Sequence, residues 1–172
     1  HSRNCRHTRR EQCEAGVKII QKYRPEVKSL RDIPLELLQE HKNEFDPVIY
    51  KRCEYVIKEN MRLLSACNDL NNNDLVSFGQ RISQSHIGLR DDYEVSCKEL
   101  DILVDLADQE QSILGSRMMG GGFGGCTINL VKEEAIEEVG QKISKEYKAR
   151  TGLDLTMYTG KIQNGTTLIE DN

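Results

Sequence analysis

The stretch Gly115-Ser-Arg-Met-Met-Gly-Gly-Gly-Phe-Gly-Gly-Cys-Thr-Ile-Asn-Leu-Val131 decides the fold of this chain. Five of the chain's 13 glycines fall between Gly120 and Gly125, interrupted only by Phe123. The residues on either side read as strands: Ile113 to Met119 before the loop, and Cys126 to Lys132 after it, with Cys126, Ile128 and Leu130 alternating. Glycine loses more conformational freedom on folding than any other residue, so a cluster inside a β segment needs a reason. Two reasons remain open on the residues alone. The loop is a tight, close-packed turn, or it is a cradle whose bare backbone N–H groups approach an anion such as phosphate. Gly120-x-Gly122-x-x-Gly125 satisfies G-x-G-x-x-G literally, but a dinucleotide loop must run into a helix, and here a strand follows. A Walker loop fails because no Gly-Lys-Ser/Thr comes next. The protein-kinase glycine loop does join two strands, yet its His-Arg-Asp and Asp-Phe-Gly companions have no counterpart in this chain.

Working outward, Glu133 to Arg150 is a helix with Ile136, Val139, Ile143 and Tyr147 inward, ended at Gly152. Leu153, Leu155 and Met157 alternate as a third strand, and Thr166 to Glu170 form a fourth after an Asn164-Gly165 turn. Upstream, Ser96-x-x-Glu99 reads as a capping box before a helix carrying Leu100, Leu103, Val104 and Ala107. The longest helix opens with Asp46 as N-cap and Pro47 at N1, and Ile49, Cys53, Val56, Leu63, Cys67 and Leu70 are expected on its buried face. After Asn71 to Asn73, Asn73 or Asp74 caps a second helix with Leu75, Phe78, Ile82, His86 and Leu89 on one side. So short a turn makes the two an antiparallel pair. Pro34 suits the first turn of a short helix, and Arg9 to Tyr23 form a helix with Cys13, Val17 and Ile20 on one face. Residues 1–8 read as an irregular start. Helices fill the first half and strands gather in the second, so the class is α+β, with a small antiparallel sheet covered by helices and an extra helical pair.

The chain has 172 residues and a net charge of −4, which leaves no surplus of Lys and Arg for gripping nucleic acid. No stretch reaches the about 20 apolar residues of a membrane span. The six cysteines show no C-x-x-C pair and read as reduced thiols of a cytoplasmic protein, with Cys53, Cys67 and Cys126 at core-like positions. No metal-ligand spacing is present. Asp91-Asp92 is a candidate carboxylate pair, although acidic residues before a helix more often serve its N-terminus. His86 reads as a hydrogen-bonded core histidine. Arg9-Arg10 reads as solvating a helix start, whereas Arg117, three residues before the loop, stands where a cation could meet an anion.

Four blocks together resemble one family, the GHMP sugar kinases, and within it the galactokinase branch. The stretch from Gly115 to Val131 resembles that branch's third conserved motif. Ser85-His86-x-x-Leu89-Arg-Asp-Asp-Tyr-Glu-Val-Ser-Cys97-x-Glu-Leu-Asp101 is an equally characteristic block. Arg9-Arg10-x-Gln12-Cys13-Glu14 and Leu30-Arg31-Asp32 follow the same order. The resemblance runs from about Thr8 across nearly the whole chain. It implies a ferredoxin-like C-terminal domain, residues 1–172, of an enzyme that transfers a phosphoryl group from ATP with Mg2+ to galactose. It further implies that Gly120, Gly121, Gly122, Phe123, Gly124 and Gly125 lie near the phosphates and sugar at a cleft between two domains, with Arg117 and Asp91 as supporting positions. The family's first motif, its serine-rich second motif and its catalytic aspartate belong to an N-terminal half not found in these residues. No catalytic residue is therefore assigned here. The sugar-contacting tyrosine of the family falls at Arg6, and that contact is not carried over. The partners implied are galactose, ATP and the N-terminal domain; oligomerisation is left open. Taken alone, the chain is expected to be inactive. A galactokinase-like sugar sensor without catalysis, or another kinase of the family such as a galactosamine kinase, are the alternatives.

Overall fold

Asp46 starts the longest helix as its position in the sequence requires. Its carboxylate accepts the N–H groups of Val48 at 2.8 Å and Ile49 at 3.3 Å, and Pro47 follows at N1, where no donor is needed. The computed structural model describes residues 2–161, with side chains from His7 onward. Within that range the order is α1 (Ser2–Ile20), α2 (Leu35–Glu40), α3 (Pro47–Asn71), α4 (Leu75–Asp91), α5 (Lys98–Ala107), β1 (Ile113–Met119), β2 (Cys126–Val131) and α6 (Ile136–Thr151). Asp74 caps α4 by accepting the Ser77 N–H at 3.0 Å. Gly152 ends α6 in the left-handed conformation, as its place after the last apolar residue indicates.

Three clusters make the core. Ile20, Leu30, Ile33, Leu38, Phe45, Cys53 and Ile57 join α1, α2 and α3. Leu103, Leu106, Ala107, Val139, Ile143 and Tyr147 join α5 to α6. A smaller set is Val95, Leu100 and Met118, with Leu89, Tyr93 and Phe123 packed against it. Each fully buried Leu or Ile contributes about 1.5–3 kcal/mol, so the two larger clusters dominate the stability.

β1 and β2 are antiparallel, with Arg117 opposite Ile128 and Met119 opposite Cys126. The helix α4 lies along β1 so closely that backbone meets backbone. A Cβ built on Gly79 would stand 2.8 Å from Leu114 Cβ and closer still to the Leu114 carbonyl, while one on Gly115 would run into the Gly79 backbone. Two N–H groups of β1 are taken by α4 side chains: Ser116 donates to Ser83 Oγ at 3.3 Å and Met118 to His86 Nδ1 at 3.2 Å. These groups point away from β2, so α4 covers the outer edge of β1.

The expectation of a third strand is corrected: Leu155 and Met157 are drawn onto the helices rather than into the sheet. Residues 153–161 form no strand; Leu155 packs on the α5–α6 cluster and the Met157 side chain closes over Gly140. The expected strand at Thr166 to Glu170 and its Asn164-Gly165 turn lie outside the described residues. Residues 2–8 are helical, not irregular, because nothing before Gly16 breaks a helix even though apolar periodicity is lacking. The buried stripe of α3 holds only in its first half. Leu63 is 62% exposed, and Cys67 and Leu70 are exposed too, because the second half turns Ala66 and Asp69 inward instead. On α4 the buried face is Gly79, Ser85, His86 and Gly88, with Leu75 exposed, since close approach to β1 and to the Tyr55 ring needs small residues. The expected capping box does not form: Cys97, not Ser96, is the N-cap of α5 and makes no side-chain cap bond, because the Ser96 hydroxyl goes to Asp101. In β2, Cys126 and Ile128 are exposed, on the face shared with Arg117 and Met119 rather than with buried Met118.

Candidate functional site

Among the described residues, the loop between β1 and β2 gathers the most positive φ angles. Gly120, Gly122, Gly124 and Gly125 take φ values of 86°, 80°, 126° and 111°, and Phe123 joins them at 61°. Its glycines serve two purposes. Gly122 is pressed against the turn before α5: a Cβ there would lie 2.9 Å from Val95 Cβ and closer to the Val95 carbonyl oxygen. The same oxygen accepts the Phe123 N–H at 2.7 Å, and the Phe123 ring packs on the cluster of Val95, Leu100 and Met118. Gly120 and Gly124 face open space, where an added Cβ meets nothing within 4 Å. The loop is pinned at its centre and open at its shoulders, so an approaching group would meet bare backbone.

The supporting positions are already engaged. Arg117 donates from Nε to the Met118 carbonyl at 3.1 Å and stands 3.6 Å from Glu59 on α3. Asp91 ends α4 and is held by Arg90 through bonds of 2.9 and 3.2 Å. That hydrogen bonding keeps its carboxyl below the usual range. Its neighbour Asp92 turns its carbonyl, not its carboxylate, to the buried Arg52 on α3. The two aspartates therefore have separate partners and do not converge on one point. Among the described residues no group of three or more His, Cys, Asp or Glu could hold a metal ion. Bare backbone beside open space at Gly120 and Gly124 is the kind of surface that a phosphate could approach. The loop's residues do not by themselves fit a nucleotide with its magnesium, because residues 120–125 carry no charged side chain and Arg117, three residues before them, is paired with Glu59.

His86 is 1% exposed and structural, as its place on an apolar helix face indicates. Its Nδ1 accepts from Met118, which puts the ring proton on Nε2, 3.4 Å from Asp101 Oδ1. Burial pushes its pKa below the ordinary 6.5 despite the opposing pull of Asp101, Asp105 and Asp108; Arg90 acts in the same direction as burial. The unfolded chain therefore takes this proton first. The contribution is complete above about pH 6.5 and is lost as pH falls toward the folded value. The stability advantage of the wild type over His86→Gln should accordingly shrink between about pH 7.5 and about pH 5.5 in urea titrations. A difference independent of pH would exclude the neutral buried ring.

Two residues escaped the sequence reading. Arg52, 2% exposed, and Glu59, which binds the Ser85 hydroxyl and Arg62, are the polar anchors of α3. Both stand at stripe spacing with Ile49 and Val56, and a charge at such a position is the signal that would have found them.

The profile of the family described as GHMP kinases C terminal matches residues 63–149. A galactokinase of Clostridium acetobutylicum is 42% identical over 162 residues, covering 94% of this chain and 41% of the relative. One of Clostridium beijerinckii is 41% identical with the same coverage. The crystal structure of Lactococcus lactis galactokinase complexed with galactose superposes with a TM-score of 0.80 at 30% identity, over 86% of this chain and 38% of that one. The chain thus spans about two fifths of the relatives it matches.

Proposed function

This chain belongs to the GHMP kinase C-terminal family, and from that premise we propose that it is the C-terminal domain of an ATP-dependent galactokinase. The observation that carries the reading is the 42% identity across 94% of the chain, an aligned stretch too long to leave out the glycine loop. In this reading galactose, ATP and Mg2+ are held mainly by an N-terminal half, and the reaction yields galactose 1-phosphate in the cytoplasm. Residues 120–125 form one wall of the cleft, where Gly120 and Gly124 let the backbone approach a phosphate held from the other side. Phosphoryl transfer is almost wholly positioning and electrostatic stabilisation, so a domain holding one wall of the site does not catalyse it alone.

The test is product formation. The full-length protein containing this chain should convert galactose and ATP to galactose 1-phosphate and ADP, whereas the 172-residue chain should not. A full-length protein that binds galactose without turnover would replace the enzyme by a sugar sensor. Preference for galactosamine in a sugar panel would replace galactose as substrate.

A further inference from the structure

Arg52 is the most deeply buried cation described, on a helix face otherwise made of Ile49, Cys53 and Val56. Burying a guanidinium costs several kcal/mol unless its donors are met, and here they are met only in part. One terminal nitrogen donates to the Asp92 carbonyl and the other to the Glu94 carboxylate at 2.6 Å, while Nε has no hydrogen-bond partner. An apolar residue would suit stability better, so the arginine is there for where it reaches.

It reaches the short turn between α4 and α5. Arg9, on α1, reaches the same turn from a different helix, donating to the Tyr93 carbonyl at 2.6 Å and the Glu94 carbonyl at 3.2 Å. Three successive carbonyls, from residues 92, 93 and 94, are thereby taken by two arginine heads. The next carbonyl is Val95, the one that receives the Phe123 N–H and abuts Gly122. Glu94 lies in the left-handed region at φ 52°, costly for a residue with a side chain, and its carboxylate is clasped by Arg52 with Lys51 Nζ 3.8 Å away. Arg52 also holds that carboxyl below its usual range.

We infer that Arg52 is a positioning residue for the glycine loop: by gripping the 92–94 turn it fixes the Val95 carbonyl on which Gly122 and Phe123 rest. A lysine keeps the charge but loses the planar fork that spans a carbonyl and a carboxylate at once. The consequence for catalysis rests on the galactokinase reading; the mechanical consequence does not.

Amide hydrogen exchange of the chain itself provides the test. In Arg52→Lys the Phe123 amide should exchange roughly ten- to a hundredfold faster, the equivalent of one lost hydrogen bond to a charged group. The Tyr50 amide, bonded to Asp46, and the Met118 amide, bonded to His86, should keep their rates. An unchanged Phe123 rate, or equal acceleration at all three amides, overturns the inference. If Arg52→Lys does not fold, Arg9→Gln loosens the same turn from the α1 side and decides by the same comparison. In the full-length kinase the lysine variant should lower kcat with KM for galactose near the wild-type value; a change in KM alone counts against the inference. Should the parent phosphorylate nothing, the functional reading falls and the exchange comparison decides alone.

Discussion

Alanine in place of Gly115 should destabilise the chain by about 3 kcal/mol, the upper end of what an overpacked methyl group costs. The added carbon would run into the Gly79 backbone, with Gly79 Cα at 2.8 Å, and a helix backbone has no rotamer by which to give way. Relief requires lifting α4 away from β1, which also stretches the bonds from Ser116 to Ser83 and from Met118 to His86. The reciprocal change, Gly79→Ala, meets Leu114 in the same way, but alanine is about 1 kcal/mol better than glycine inside a helix. Its net cost should therefore be nearer 2 kcal/mol. The double variant should cost less than the sum, because once α4 is lifted the second methyl finds room. Urea midpoints of the three variants measure this. A Gly79→Ala protein as stable as the wild type would mean that helix and strand do not meet as closely as described.

Within the glycine loop, two substitutions that look alike should behave differently. Gly122→Ala combines a left-handed backbone with contact against the Val95 carbonyl and should cost about 3 kcal/mol. Stability of the chain and activity of the full-length protein should fall together. Gly124→Ala meets no neighbour and bears only the strain of its φ of 126°, about 1–3 kcal/mol, so the domain should still fold. In the proposed kinase the new methyl group and the altered backbone stand on the open side of the loop, and activity should fall well beyond the loss of stability. Thermal denaturation read beside galactose 1-phosphate formation separates the two effects. If both variants simply unfold, the whole loop is a close-packed turn and nothing more.

What the sequence disclosed was whatever local chemistry controls. The Asp46-Pro47 start and the Gly152 stop depend on residues within one turn of each other and stand as read, and of the two caps read for α4, Asn73 or Asp74, it is Asp74 that serves. The strand–loop–strand unit stands for the same reason. Which side of an element is buried depends on what arrives from elsewhere, and there apolar spacing misled. Leu63 and Leu70 carry the stripe of α3 outward, because that half of the helix packs through Ala66 and the Asp69–Arg81 ion pair. Small residues on α4 marked its contact face better than leucines did, since only glycine and serine allow a helix to lie along a strand backbone. Loop glycines were legible as a group but not one by one. Nothing local distinguishes Gly122 from Gly124; the difference is Val95, 27 positions earlier in the chain.

The helix α3 spans 25 residues and serves two neighbourhoods, an apolar seam with α1 at one end and an ionic seam with α4 at the other. A rigid rod shared in this way sets the region matched by the family profile apart from the packed unit. The matched region, residues 63–149, starts about two thirds of the way along that rod and leaves behind Arg52, Cys53 and all of α1. A fragment trimmed to those bounds would begin with only the last third of the helix, its better-buried part removed and the turn beneath the glycine loop unheld. A fragment that keeps α1 and all of α3 should therefore be markedly more stable to urea than one cut at residue 63.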